Sequence, residues 1–148
     1  MKKKDFVVLE SARCDEQRVV MEKIQKRGEC PFCLENLPKY HAPPILAENE
    51  HWVATKNQWP YENTEHHFLL ICREHILYPE ETPSAFVASL WELVRELGKK
   101  YGFDSGGFAI RFGAPERTGG SVRHLHAHVI VGFPGDNEKY GQVFFRVA

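Results

Sequence analysis

Three histidines at alternate positions, His124, His126 and His128, are the feature that most constrains how this chain can fold. In an extended strand, successive side chains point to opposite faces of the sheet. The sequence therefore predicts a strand over 124–131 with the imidazoles on one face. The residues expected on the other face are Leu125, Ala127, Val129 and Val131. Because three neutral bases beneath a packed apolar layer would be costly without partners, we expect the histidine face to line a cleft.

The length and composition of the chain predict a single domain over residues 1–148. Of the 148 residues, 43% are hydrophobic and 12% aromatic, which is enough for one core of its own. The net charge of -1 and the short basic tip at 2–4 argue against extended nucleic-acid binding. Because no apolar run has the length of a membrane span or a signal-peptide core, we expect a cytoplasmic protein without membrane contact.

The periodicity of apolar residues predicts an α+β fold, in which an antiparallel sheet of about five strands packs with a short N-terminal helix and a long helix. The short helix is expected over 14–27, ending at Gly28, and the long one from Thr82 as N-cap and Pro83 to about Gly102. The strands are expected at 51–56, 67–72, 108–112, 124–131 and 143–147.

The predicted long helix carries an unusually broad apolar stripe. Its centre is formed by Phe86, Leu90, Leu93, Leu97 and Tyr101, and its flanks are formed by Val87, Trp91 and Val94. A stripe of this width either covers the sheet and also meets a second subunit, or belongs to a fully buried helix of a monomer. Both interpretations remain open at the level of sequence.

A second chemical signal is the motif Cys30-Pro-Phe-Cys33. Two cysteines at this spacing can bind one zinc ion, but a closed structural site needs four ligands, so two must come from elsewhere. Cys14 and Cys72 are isolated, and Cys72 lies in an apolar run typical of a small buried hydrophobe. Histidine must then complete the site. A thioredoxin-like redox role is less favoured because no βαβ pattern surrounds the motif.

The spacing of the three histidines leaves their tasks open. Neighbours in the row are roughly 7 Å apart along a strand, and the outer pair is roughly 14 Å apart. Two neighbours could bind one catalytic zinc together with a water, as in a zinc hydrolase. Alternatively, the three could act as metal ligand, nucleophile and hydrogen-bond or proton donor.

The motif at 119–130, Gly-Gly-Ser-Val-Arg-His-Leu-His-Ala-His-Val-Ile, resembles the signature of the histidine triad (HIT) family of nucleotidyl hydrolases and transferases. The resemblance extends upstream through 52–57, the Trp-Pro-Tyr turn at 59–61, 67–75 and the long helix, and covers most of 28–132. It implies a HIT-like fold and a homodimer that binds a nucleotide substrate.

The resemblance also implies the reaction class. The substrate would be a dinucleoside polyphosphate or a nucleoside phosphoramidate, hydrolysed through a covalent nucleotidyl-histidine. His128 stands where the uridylyltransferase branch has glutamine, which favours hydrolysis over transfer. The alternatives are a phosphorylase or nucleotidyltransferase of the same family, and a nucleotide-binding regulatory protein with incidental turnover.

Individual roles follow from the same resemblance. His126 would attack the α-phosphorus, because a neutral imidazole is nucleophilic near neutral pH. His128 would contact the phosphate and assist departure of the leaving group. Ser121 and the backbone amides around Gly120 would donate hydrogen bonds to phosphate oxygens.

Four further residues are candidates for the walls of the site. Asn57 matches the position from which family members hold the ribose hydroxyls, and His67 matches a histidine that supports the triad. Phe32 and Trp52 either line a base pocket or belong to the core, and the core is favoured for aromatics at such positions.

Arg111 departs from the family pattern, in which many hydrolases have an asparagine that contacts phosphate. Its guanidinium could bind a polyphosphate in a bidentate manner or pair with Glu116 on the surface. The loop that follows looks longer than in the family and contains Arg117. We therefore hypothesise a large anionic leaving group, such as the second half of a dinucleoside polyphosphate.

The resemblance also implies a metal site. In the zinc-containing branches of the family, a Cys-x-x-Cys pair joins a histidine at a strand end and the first histidine of the triad. These positions correspond here to Cys30, Cys33, His75 and His124. Zinc would then be structural, and its bond to His124 would fix the start of the strand that presents His126.

Overall fold

The computed structural model describes residues 5–135 and 139–147, and its five strands form one antiparallel sheet. The strands are β1 (Ile45–Glu48), β2 (Trp52–Lys56), β3 (Thr64–Cys72), β4 (Gly107–Arg111) and β5 (His126–Gly132). Their spatial order is β1-β2-β3-β5-β4. The basic tip at 2–4 lies outside the described residues.

Two longer helices and two single-turn helices accompany the sheet. They are α1 (Asp15–Arg27), α2 (Leu37–Tyr40), α3 (Ser84–Tyr101) and α4 (Pro115–Thr118). The longer helices α1 and α3 end at Gly28 and Gly102, whose φ angles of 67° and 76° suit glycine. In this conformation, the backbone N–H of each glycine donates to a carbonyl of the last helical turn. Within the described part of the chain, no helix is both long and apolar enough to cross a membrane.

Helix α3 packs on one face of the sheet and forms the main core with it. Leu90, Leu93 and Leu97 of α3 are fully buried there. The alternation predicted for β5 is confirmed, since Ala127 and Val129 point into this core. The opposite face of the sheet carries a second, smaller cluster and the histidines, which leaves that face available for a cleft.

The fifth strand does not lie at 143–147, as the sequence predicted. That segment has no strand pairing, and its Arg146 carbonyl accepts hydrogen bonds from the Arg111 side chain instead of a neighbouring strand. The fifth strand is β1, which was not predicted because Pro43 and Pro44 directly precede it. Because β1 lies at the sheet edge, prolines at its entrance remove no ladder hydrogen bond.

Several predicted boundaries also change. Strand β3 begins at Thr64, three residues earlier than expected, and the long helix has Pro83 as its N-cap because Thr82 ends a preceding 3-10 turn. Strand β5 begins at His126, so His124 precedes the strand and is not part of its ladder. The three histidines therefore do not form one continuous row on a strand.

Candidate functional site

Four side chains converge at the start of β5 and could hold a metal ion: Cys30, Cys33, His75 and His124. One ligand atom from each lies within 4.8 Å of all the others. The Cys30 Sγ to His124 Nδ1 distance is 3.3 Å, Cys33 Sγ to His75 Nδ1 is 3.4 Å, and the two Nδ1 atoms are 3.2 Å apart. A zinc tetrahedron with bonds of about 2.0 to 2.3 Å has edges of about 3.3 to 3.8 Å, so the donor set fits this ion.

Local structure brings the four ligands together. The two cysteines follow the glycine that ends α1, and Asn36 closes their loop by donating from Nδ2 to the Cys30 carbonyl at 3.0 Å. His124 donates from Nε2 to the Cys72 carbonyl at 2.7 Å, which leaves its Nδ1 lone pair directed at the sulfurs. Burial raises the pKa of Cys30 to about 12, so a bound cation is needed to keep this sulfur as a thiolate.

His126 has its two ring nitrogens in different environments. Its Nδ1 donates to the His124 carbonyl at 2.6 Å, so the neutral ring carries its proton there. No described residue forms a hydrogen bond with the opposite nitrogen, Nε2, which keeps its lone pair. The ring lines the cleft, and Phe32 contacts it edge to face with centroids 5.0 Å apart. This tautomer is the nucleophilic one for an attack from Nε2.

His67 and His128 form a second chain of defined tautomers. The backbone N–H of Tyr61 donates to His67 Nδ1 at 3.0 Å, so His67 carries its proton on Nε2. That Nε2–H donates to His128 Nδ1 at 2.9 Å. His128 must then carry its own proton on Nε2, on the side of the cleft. Asn57 lies beside this chain, with its Nδ2 3.3 Å from His67 Nε2.

These imidazoles are held in their neutral forms. Burial lowers the pKa of His67 to about 3, and repulsion from Arg13, His126 and Arg111 adds to the effect. Burial also lowers the pKa of His126 to about 4 and places that of His128 well below its usual value. Neutral imidazoles at neutral pH can act as nucleophile and as hydrogen-bond donor, as the tautomers require.

Arg111 lies in β4 opposite His126 and extends towards the same cleft. Its Nη1 donates to the Tyr61 hydroxyl at 3.3 Å and is 3.4 Å from His128 Nε2. The alternative that Arg111 pairs with Glu116 is wrong, because Glu116 forms its ion pair with Arg123.

The cleft has a volume of about 760 Å³, which is large enough for a nucleotide. It brings together five predicted residues: Asn57, Arg111, Ser121, His126 and His128. Gly120 is buried beside the cleft, and its amide donates to Thr118 Oγ1 at 3.3 Å. Trp52 lies in the core, as favoured, and Phe32 lies in the cleft wall.

Three residues of the site were not predicted from the sequence. The Arg13 guanidinium lies over the Tyr61 ring at 4.5 Å, and the Tyr61 ring is nearly parallel to that of His128 with centroids 5.7 Å apart. Phe145 lies under the Arg111 guanidinium at 3.7 Å. Tyr61 had a signal, since its turn follows the family order. Arg13 and Phe145 had none, because they lie outside the stretch of resemblance.

The HIT domain family model matches residues 43–135, which is more than half of the chain. The chain belongs to the HIT family. The family expected from the histidine motif is therefore confirmed, as is the α+β fold with its five-stranded antiparallel sheet.

Solved structures of HIT proteins share the fold at low sequence identity. A histidine triad protein from Clostridium difficile is 24% identical with a TM-score of 0.54, over 73% of this chain and 94% of that one. A zinc-bound histidine triad family protein from Mycobacterium smegmatis is 22% identical with a TM-score of 0.57, over 73% and 78%. A HIT family hydrolase from Legionella pneumophila is 19% identical with a TM-score of 0.56, over 76% and 100%. No curated protein sequence matches the chain.

Proposed function

We propose that this HIT protein hydrolyses a nucleotide phosphoanhydride or phosphoramidate through a covalent nucleotidyl group on His126. The observation that carries the proposal is the 2.6 Å hydrogen bond from His126 Nδ1 to the His124 carbonyl, which frees Nε2 in the cleft. A histidine of this tautomer is an activated nucleophile that divides one hard displacement into two easier steps. The Legionella relative, described as a hydrolase, supports the same reaction class.

In the first step, the Nε2 lone pair of His126 attacks the α-phosphorus, and the bond from phosphorus to the leaving group breaks. The leaving group takes the electron pair of that bond: a phosphate chain departs as its anion, whereas an amine also takes up one proton from solvent. The positive charge that develops on the ring is stabilised by the Nδ1–H bond to the His124 carbonyl. His128 donates a hydrogen bond from Nε2–H to the phosphate or the departing atom.

In the second step, a water oxygen attacks the same phosphorus, and the phosphorus–nitrogen bond breaks. The electron pair returns to His126 Nε2. One proton of the water stays on the nucleoside monophosphate, and the other passes to solvent. Ser121 and Arg111 are the donors available to the phosphate oxygens, whereas the Gly119 and Gly120 amides already donate to the Pro115 carbonyl and to Thr118 Oγ1. Asn57 is available to the ribose.

A trapping experiment tests the proposal. The protein is mixed with a dinucleoside polyphosphate or a nucleoside phosphoramidate, quenched within one turnover, and its intact mass is measured. We expect a mass increase of one nucleotidyl group in the wild-type protein and none in His126→Ala. Binding that survives His126→Ala, together with no adduct in the wild type, would favour a regulatory nucleotide-binding protein. An adduct cleared only by added phosphate would favour a phosphorylase.

We also propose that the four converging ligands hold a structural zinc ion. The donor distances match a tetrahedron, and the Mycobacterium relative is described as zinc-bound. All four positions are filled by protein ligands, so no open position remains for a catalytic water. The zinc would hold the loop at Cys30 and Cys33 against the start of β5 and thereby fix the main chain of His124.

A homodimer is the third element of the proposal. Val87 and Trp91 of α3 and Phe108 of β4 are exposed, and the Trp91 and Phe108 rings are 5.6 Å apart. Strand β4 is an edge strand, and a second copy of this chain related by a twofold axis would pair with it and cover the aromatic patch. We expect Trp91→Glu to convert a dimer to a monomer in multi-angle light scattering. A monomeric wild type would contradict the dimer.

A further inference from the structure

Two guanidinium groups, from distant parts of the sequence, reach the cleft. Arg111 comes from β4, and Arg13 comes from the residue pair that precedes α1, well before the stretch that the family model matches. Both contact Tyr61: Arg13 lies over its ring at 4.5 Å, and Arg111 donates to its hydroxyl at 3.3 Å. Tyr61 therefore places the two positive charges beside His128.

Neither guanidinium is neutralised within the described part of the chain. The cleft wall includes Glu10 and Glu62, but no ion pair joins either of them to Arg13 or Arg111. By contrast, Arg18, Arg73 and Arg123 on the surface each have a glutamate partner. Two unpaired cations in one cleft repel each other, so the arrangement favours the binding of an anion.

The position of Arg13 is defined by its neighbours. Its backbone N–H donates to the side chain of the buried Gln17 at 2.8 Å, and its Nη2 donates to the Trp59 carbonyl. A guanidinium has five N–H groups, so most of those on Arg13 remain available to a ligand. The side chain is thus oriented towards the cleft before any ligand binds, which reduces the entropy cost of binding.

His128 and Arg111 point donors at the same space. Arg111 Nη1 and His128 Nε2 are 3.4 Å apart, and both atoms carry a proton in the tautomers assigned above. Two donors facing each other are satisfied when an anionic oxygen lies between them. A neutral His128 donates such a hydrogen bond but cannot release its proton without becoming an imidazolate. The site therefore suits a leaving group that departs as an anion.

We propose that Arg13 is a specificity-determining residue, which together with Arg111 binds the phosphate chain of an anionic leaving group. This inference rests on the hydrolase function proposed above and selects among its substrates. The site favours a nucleotide whose leaving group is itself a phosphate chain over a phosphoramidate, whose amine needs a full proton to depart. Arg117, the second arginine suggested by the sequence, is exposed and lies outside the cleft wall.

The test compares two substrates with the same nucleoside in wild type, Arg13→Gln and Arg13→Lys. One substrate is a dinucleoside tetraphosphate and the other a nucleoside phosphoramidate. We expect Arg13→Gln to lower the ratio of their kcat/KM values by about 10- to 100-fold, the loss typical of a charge-assisted hydrogen bond, and Arg13→Lys to restore part of it. Arg18→Gln is the matched control, because Arg18 lies nearby in the first turn of α1, outside the cleft wall, and pairs with Glu22. An unchanged ratio in Arg13→Gln would overturn the proposal.

A second readout separates this proposal from the hydrolase function. Binding of inorganic tripolyphosphate is measured by calorimetry in the wild type and in Arg13→Gln. If the wild type turns over neither nucleotide, the hydrolase proposal fails and tripolyphosphate binding decides about Arg13. Weaker binding in Arg13→Gln would support the anion site, whereas equal binding, or no binding to the wild type, would overturn it.

Discussion

The two ends of the histidine motif have opposite hydrogen-bond polarity. Around His124, the bound Nε2–H leaves a lone pair that faces two sulfurs and the imidazole of His75. Around His128, an imidazole N–H and a guanidinium N–H face the same space. One end suits a cation and the other suits an anion, although His124 and His128 are only four positions apart in the sequence.

The difference shows that the residue type does not set the chemistry here. Hydrogen-bond partners select the free nitrogen of each ring: the Cys72 carbonyl binds Nε2 of His124, and the His124 carbonyl binds Nδ1 of His126. For His128 the partner is the side chain of His67, which donates to Nδ1. His124 thus takes part in both regions, with its ring at the candidate metal site and its backbone carbonyl bonded to His126, the proposed nucleophile. The two regions are distinct in charge but joined by one residue.

The largest expected effect is a loss of turnover that leaves the candidate metal site intact. His126→Gln removes the free Nε2, so turnover should fall by at least about 10³-fold, as for other nucleophile substitutions. The metal content should stay unchanged, since His126 is not among the four ligands. Single-turnover kinetics and inductively coupled plasma mass spectrometry measure the two quantities. Metal binding that depended on His126 and His128, and not on the cysteines, would instead indicate a zinc hydrolase.

The next largest effect is a loss of metal and of stability when one of the four candidate ligands is replaced. Cys30→Ser removes one of four ligands, so metal should be lost and stability should fall by about 3 kcal/mol or more, roughly 6 °C or more in Tm. Cys72→Ala is the matched control, because Cys72 is equally buried but is not a ligand. It should keep the metal and lose only about 1 kcal/mol from the small cavity. If both variants kept the metal, the assignment of the ligands would be wrong.

The smallest expected effect is on the pH dependence of stability, which tests whether His67, beside the anion-binding end, is neutral. His67 has a pKa of about 3 in the folded protein and about 6.5 when unfolded. Above pH 6.5 both states are neutral, so the shift has no effect on stability. Between pH 6.5 and 3 the unfolded state binds the extra proton, so stability falls as the pH falls, by up to about 1.4 kcal/mol per pH unit.

The variant His67→Gln should make this acid slope less steep in urea unfolding measured at pH 7, 6 and 5, and the other buried histidines should account for the slope that remains. His66→Gln is the matched control, because His66 lies on the opposite face of β3 and packs against Phe68 and Phe103. The control should keep the wild-type slope. A His67→Gln slope that equals the wild-type slope would show that His67 is not held neutral.

The sequence could predict what depends on alternation and spacing. The alternation in β5 predicted which residues enter the core, and the resemblance indicated the four ligands that converge in the structure. The tautomers could not be predicted, because they depend on carbonyls such as that of Cys72, which is far from His124 in sequence. For the same reason, the role of Arg13 could not be predicted, because its contact with Tyr61 exists only in the folded chain.

The position of the four candidate metal ligands along the chain has a practical consequence for defining a minimal fragment. His75 and His124 lie within the stretch 43–135 that identifies the family, whereas Cys30 and Cys33 precede it. A fragment trimmed to that stretch would retain all five strands but only half of the ligand set. The boundary of the family match therefore divides the candidate metal site, and a fragment that keeps all four candidate ligands must begin upstream of Cys30.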